Sequence, residues 1–357
     1  MSESVCSIIP PHMLRHLERT GTAAERSGAA ATLRLDEETR LLRDRTGSVR
    51  PASEQTVVEG KTAKRNIYDA RNGTRLPGTL VRAEGAPATG DVTVTEAYDG
   101  LGATLALLGE VYDRNSLDGA GLDLTATVHY GNKYSNAQWN GSQMIFGDGD
   151  GVLFNRFTIA LDIIGHELTH GLTQNTAGLN YYGQSGALNE SMSDVFGVMV
   201  AQYHASPRPT AEQADWLVGK GIFTPAVKGV AIRSMKAPGT AYDDPKLGKD
   251  PQPGSMDAYV ETFEDNGGVH INSGIPNRAF QLAAVALGGY SWEKAGQVWY
   301  DTLLDPKLSP SATFVQFAAL TVTHAGKLGA DAAEAVQGAW QQVGVRPPAP
   351  LLDELRV

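Results

Sequence analysis

One cysteine, Cys6, stands among 357 residues, which forbids an internal disulfide and any metal site built from several thiolates. Cations are scarce too: 30 Lys and Arg face 40 Asp and Glu, for a formal net charge of −10. Nonspecific nucleic-acid binding needs clustered cations, and none occur, so nucleic acid is excluded as a partner. No apolar run approaches the roughly 20 residues that span a bilayer. The opening MSESVCSIIPPHML starts acidic, has no basic leader and meets Pro10-Pro11 early, which is not the pattern of a secretory leader. What remains is a globular protein long enough for two domains and an appendage.

Charge is unevenly spread. Residues 1–50 hold eight Arg, no Lys and seven acidic side chains, about +1, leaving about −11 on the rest. Within them GTAAERSGAAATLRLDEETRLLRDRTGS reads as a small-residue linker followed by a charged helical segment, with a Thr/Gly/Ser break near 46–53. Residues 66–94 combine turn pairs such as Asn72-Gly73 with short apolar runs, which predicts β-hairpins. Helical spacing returns over 95–116, and LTATVHYG (124–131) reads as a strand. From about residue 158 long helical segments dominate. The expected organisation is an appendage (1–50), a β-rich lobe ending in a hinge helix (51–175) and a helical lobe (176–357).

The hinge helix carries His166-Glu167-Leu168-Thr169-His170. Residues four apart on a helix project about 40° apart, so both imidazoles face one point, as a tetrahedral zinc requires. Glu167, beside the first ligand, is placed to act as general base toward water at the metal. A third ligand is needed. The pattern ending in a third histidine demands Gly at 173 and His at 176, whereas both are Thr. The alternative places a glutamate on the next helix, and Glu190 in GALNESMSD, 20 residues after His170, supplies it. Asp194, one turn on, is a candidate to fix a zinc histidine's tautomer. In EDNGGVHINSG, His270 is a candidate oxyanion donor, with Asp265 across a Gly-Gly turn orienting it.

Together HELTHGLTQ, GALNESMSD, DNGGVHINSG, NAQWNGSQM (136–144) and GDGDG (147–151) resemble the thermolysin family of neutral metallopeptidases, in order and spacing across about residues 66–346. The resemblance implies an α+β fold with a β-rich N-terminal lobe, an α-helical C-terminal lobe and the cleft between them. It implies Zn²⁺ held by His166, His170 and Glu190, with Glu167 activating water for cleavage of internal peptide bonds. By the same resemblance Tyr181 and His270 stabilise the oxyanion, and Asp194 and Asp265 orient histidines. Asn136 and the Ala137 backbone bind substrate main chain, and Arg233 holds a peptide carbonyl. Phe154, Phe157, Ile163 and Ile232 become candidates for an apolar pocket favouring bulky residues after the scissile bond; core residues are the plain alternative.

The family's paired calcium site is expected to be missing: Asp162 and Asp215 remain, but Ala201, Leu217 and Lys220 occupy its other positions, and calcium needs six or more oxygens. Calcium elsewhere is left open. The appendage, with Ile-Pro-Pro-His-Met-Leu at 9–14, is similar to the short propeptide of the protealysin subgroup, which implies that it occupies the cleft and keeps a monomeric enzyme latent. Cys6 is then a candidate ligand of the zinc in the latent form. The competing readings are an inactive, zinc-binding, peptide-binding relative, which would not need Glu167, and an exopeptidase, for which no insertion is seen. Without a secretory leader the expected location is the cytoplasm or, by another route, outside the cell.

Overall fold

The computed structural model describes residues 6–46 and 61–347, the side chains of Cys6 and residues 40–46 excepted. Its N-terminal part is built on a mixed six-stranded sheet in the order β1-β5-β6-β4-β2-β3. The strands are β1 (Cys6–Ser7), β2 (Arg65–Asp69), β3 (Thr79–Arg82), β4 (Leu124–Val128), β5 (Ala137–Trp139) and β6 (Met144–Phe146). β2 and β3 form the antiparallel pair expected from the turn chemistry, while β4 runs parallel to both β2 and β6. Helix α3 (Val92–Tyr112) lies on the sheet, begun by the Asp91 carboxylate accepting from the Thr93 and Val94 amides.

Two helices form the hinge between sheet and helical lobe. α4 (Leu161–Gln174) is buried from Asp162 to Thr173, and α5 (Gly183–His204) is buried over nearly its whole length. A helix so enclosed needs close neighbours. Glycine supplies the approach: a Cβ on Gly197 would sit 2.4 Å from the Asp162 carbonyl, and one on Gly165 3.0 Å from the Gly197 Cα. With no side chains between them the two backbones pack directly, which brings the residues of α4 and α5 to one centre. Beyond them α6 (Asp265–Asn272), α7 (Gly274–Leu287), α8 (Lys294–Leu304), α9 (Phe314–Gly326) and α10 (Ala330–Gln342) surround an aromatic core in which Trp299 and Trp340 stack with centroids 6.1 Å apart.

The N-terminal segment departs from its expected form. After β1 comes α1 (Pro11–Thr20), with proline at its first turn where a missing amide costs nothing. Then a single helix, α2, runs from Ala23 to Thr46. The small-residue stretch expected as a linker is therefore helical: alanine has the best helix propensity, and the single interior glycine, Gly28, does not break the run. The expected boundary near residue 50 and the Pro-rich tail beyond 347 lie outside the described residues.

Candidate metal and catalytic centre

His166 and His170 project from α4 toward Glu190 on α5. Their Nε2 atoms are 3.1 Å apart, and Glu190 comes within 3.7 Å of the first and 3.5 Å of the second. The outer partners decide which nitrogens carry hydrogen. His166 Nδ1 lies 2.8 Å from Asp194 Oδ1, and His170 Nδ1 lies 2.8 Å from Asn189 Oδ1, whose amide nitrogen in turn donates to the Leu179 carbonyl. Both rings thus hold their proton on Nδ1 and aim Nε2 lone pairs at each other, beside a Glu190 Oε2 that has no hydrogen-bond partner among the described residues. Facing lone pairs repel unless a cation lies between them. Two imidazoles and a carboxylate, their donor atoms all within 4.8 Å of one another, suit Zn²⁺ with one position left open.

Glu167 is fully buried. Its Oε2 accepts from the Trp139 backbone amide at 2.8 Å, while Oε1 has no hydrogen-bond partner among the described residues. Burial, reinforced by the charge of Glu190, pushes its carboxyl well above the ordinary value. Asp194 shows the opposite balance: burial raises it, but the Arg233 guanidinium and His166 outweigh burial and hold it below the carboxylate range. Arg233 donates to both Asp194 oxygens at 2.9 and 2.8 Å, and Asn277 donates to Asp194 Oδ2 at 2.8 Å.

On the far side of Glu190, Tyr181 OH donates to Glu190 Oε1 and lies 3.2 Å from His270 Nε2. His270 Nδ1 is 2.6 Å from Asp265 Oδ1, and Asp265 Oδ2 accepts the His270 amide at 2.9 Å. Both bonds require Asp265 to double back, which it does through left-handed φ values at Asp265 (52°), Asn266 (51°), Gly267 (81°) and Gly268 (75°). Burial lowers the His270 pKa, yet the Asp265 and Glu190 charges prevail and raise it.

The predicted main-chain-binding groups are engaged by the chain's own start. Ile8 donates to the Ala137 carbonyl (3.1 Å), the Ile9 amide to Asn136 Oδ1 (2.8 Å), Asn136 Nδ2 to the Ile9 carbonyl (3.2 Å) and Arg233 to the Ile8 carbonyl (3.2 Å). Asp36 of α2 also accepts from Asn136 Nδ2 (3.0 Å) and from Tyr134 OH. Phe154, Phe157, Ile163 and Ile232 are all buried, with the rings of Phe154 and Phe157 centred 6.2 Å apart. For Cys6 only the backbone, opposite Trp139, is described; its thiol lies outside the described residues.

Residues 35–174 match the family model for the thermolysin metallopeptidase catalytic domain, and residues 177–345 match that for the thermolysin metallopeptidase alpha-helical domain. The chain belongs to the thermolysin family of metallopeptidases. It is 54% identical over 345 residues to an extracellular metalloprotease of Pectobacterium carotovorum, covering 96% of this chain and 97% of that one. Protease PrtS of a Photorhabdus species is 49% identical over 344 residues, 95% and 92% of the two chains. Among solved structures, the precursor of protealysin, a metalloproteinase from Serratia proteamaculans, superposes with a TM-score of 0.87 at 53% identity, covering 95% of this chain and 99% of that one. The protein is a thermolysin-like zinc metalloendopeptidase with the expected α+β fold.

Sequence reading missed several partners in this thermolysin-like centre. Asn189 and Ser193, whose Oγ is 3.1 Å from His170 Nδ1, are four apart on α5 and so share the face that meets α4. That spacing would have revealed them. Trp139 acts through its backbone and Asn277 is remote in sequence, so neither left a signal.

Proposed function

We propose that this enzyme is held latent by residues 1–50 and, once they are removed, cuts polypeptides before bulky apolar residues. The observation carrying this reading is that Ile8 and Ile9, both fully buried, take up Asn136, the Ala137 carbonyl and Arg233. A peptide needing those groups cannot bind while they are taken. The two catalytic lobes are then residues 51–175 and 176–357.

His166, His170 and Glu190 would hold zinc, whose Lewis acidity would lower the pKa of water enough for it to act as nucleophile near neutral pH. Glu167, with one carboxyl oxygen unpartnered among the described residues, takes the proton of the attacking water and passes it to the leaving amine. His270 and Tyr181 donate hydrogen bonds to the oxygen on which negative charge develops. Asp265 holds His270 in the tautomer that donates from Nε2, and Asp194 fixes His166 while steadying Arg233. Asn136, Ala137 and Arg233 bind substrate main chain as an added strand.

Replacement of Glu167 by Ala is expected to leave zinc stoichiometric by metal analysis and reduce casein hydrolysis more than about 10²-fold. Undiminished hydrolysis would remove Glu167 from its role. The apolar pocket is assigned to Phe154, Phe157, Ile163 and Ile232, where burying a large side chain gives about 1.5–3 kcal/mol. Ile232→Asp should abolish the preference for large apolar residues with zinc retained; an unchanged cleavage pattern would overturn the pocket.

The paired calcium site is proposed to be absent. In support, Lys220 Nζ sits 2.7 Å from Asp215 Oδ2, and the Asp162 carboxylate accepts the Gly219 amide at 2.5 Å. Two relatives are named as extracellular, which supports export as the destination here.

A further inference from the structure

We propose that His12 makes the cover over the cleft acid-sensitive: as pH falls, β1 and α1 loosen because a second N–H on this seated ring finds no acceptor among the described residues. The inference concerns regulation and rests on the latency proposed above.

His12 is the second residue of α1, directly after the Ile8-Ile9 stretch and Pro10-Pro11. Its partly buried ring places Nε2 3.2 Å from Tyr242 OH, and its Nδ1 is sealed from solvent without a hydrogen-bond partner among the described residues. A neutral imidazole leaves one nitrogen unsatisfied there. An imidazolium would bury a second N–H with no acceptor and a charge besides, which costs more.

Its charged surroundings oppose protonation. Arg233 from the short strand Arg233–Ser234, His270 from α6 and Arg15 from α1 itself are cationic or able to become so. Asp265 is the opposing carboxylate, and both its oxygens already bond His270. Glu264, the other acid nearby, pairs with Arg15 at 3.2 Å. His16, one turn along, faces the Pro245 carbonyl at 3.4 Å near the surface. Tyr242, the direct partner, is itself pushed well above the ordinary tyrosine range by burial and then by Asp250, so it stays neutral.

Burial, aided by His270 and Arg233 and opposed by Asp265, holds His12 down from 6.5 to about 4. In the released segment it returns to about 6.5. The seated form is therefore favoured in full above about pH 6.5, and that advantage disappears progressively as pH falls toward 4. Between pH 7.5 and 5 the open fraction should rise about 30-fold from His12 alone.

The test uses the full-length, zinc-loaded Glu167→Gln chain, which cannot process itself, with zinc content measured at each pH. NMR titration of its labelled histidines, with His12 assigned by its loss in His12→Gln, should place His12 below 5. Amide exchange of residues 8–20, corrected for intrinsic rates, should accelerate about 30-fold from pH 7.5 to 5 in the parent and less than about 3-fold in His12→Gln. A His12 titration at 6.5 or above, or equal pH slopes in both chains, overturns the inference. Should His12→Gln lose protection at every pH, the NMR titration decides alone. Latency is scored separately, by hydrolysis at pH 7.5: an uncut wild-type chain as active as the cut one defeats that reading, whereas a silent uncut chain whose His12 titrates normally defeats only the acid latch.

Discussion

The metal cradle and the segment that covers it are both dense in hydrogen bonds, but they are assembled differently. In the cradle, His166 and His170 on α4 are held by Asp194 and Asn189 on α5, and charge is balanced within the fold by the Arg233–Asp194 pair. The cover instead borrows: Ile8 and Ile9 lend backbone groups to Asn136, Ala137 and Arg233, and Asp36 lends a carboxylate to Asn136 and Tyr134. Around that centre lie more exposed pairs, Arg15 with Glu264 and Lys246 with Glu25. The difference is what the proposed latency requires, a permanent structure under a removable one. Losing the cradle exposes uncompensated buried charge, whereas the groups under the cover can exchange one strand for another.

The largest expected effect breaks the cradle. Asp194→Ala strips acceptors from His166, Arg233 and Asn277, so unfolding in denaturant should show a loss of about 3–5 kcal/mol. Chelator competition should show zinc held about 10–100-fold more weakly. An unchanged unfolding midpoint would mean that the buried pair is not integral to the fold. A smaller effect is expected at the centre of the cover. Asp36→Ala removes buried acceptors, costing the uncut chain about 1–3 kcal/mol and narrowing the gap in melting temperature between uncut and cut forms; an unaltered gap would show that α2 is held by apolar contact alone. At the rim, Arg15→Ala should change stability by less than about 0.5 kcal/mol, because an exposed pair is worth little. A larger loss would move Arg15 into the set that seats α1.

Sequence alone revealed the cradle because its chemistry is written at fixed spacing: His166 and His170 one turn apart, Glu190 and Asp194 one turn apart on the following helix. The helical lobe was legible for the same reason, since an apolar period along a helix is local. What escaped was everything fixed by distant backbone. Trp139 reaches Glu167 through its amide, and any residue but proline offers an amide. Strand β1 is two residues long and exists only because β5 lies beside it. Asp36 read as one acid in a charged stretch, and only its burial at 2% exposure, against Tyr134 and Asn136, distinguishes it from Glu37 and Glu38.

The sheet order has a last consequence. With β1 in place, β5 is an inner strand; with β1 gone, β5 becomes the edge. An edge strand pairs with whatever extended chain can offer free amides and carbonyls. A compact domain has already spent those groups in its own ladders and helices, so an edge vacated as proposed above would admit chain that can be drawn out flat: a frayed terminus, a denatured loop, a damaged protein. On that proposal selection would operate on conformation before any side chain is read, and the enzyme's own folded body, its amides long since committed, would be spared by the same test.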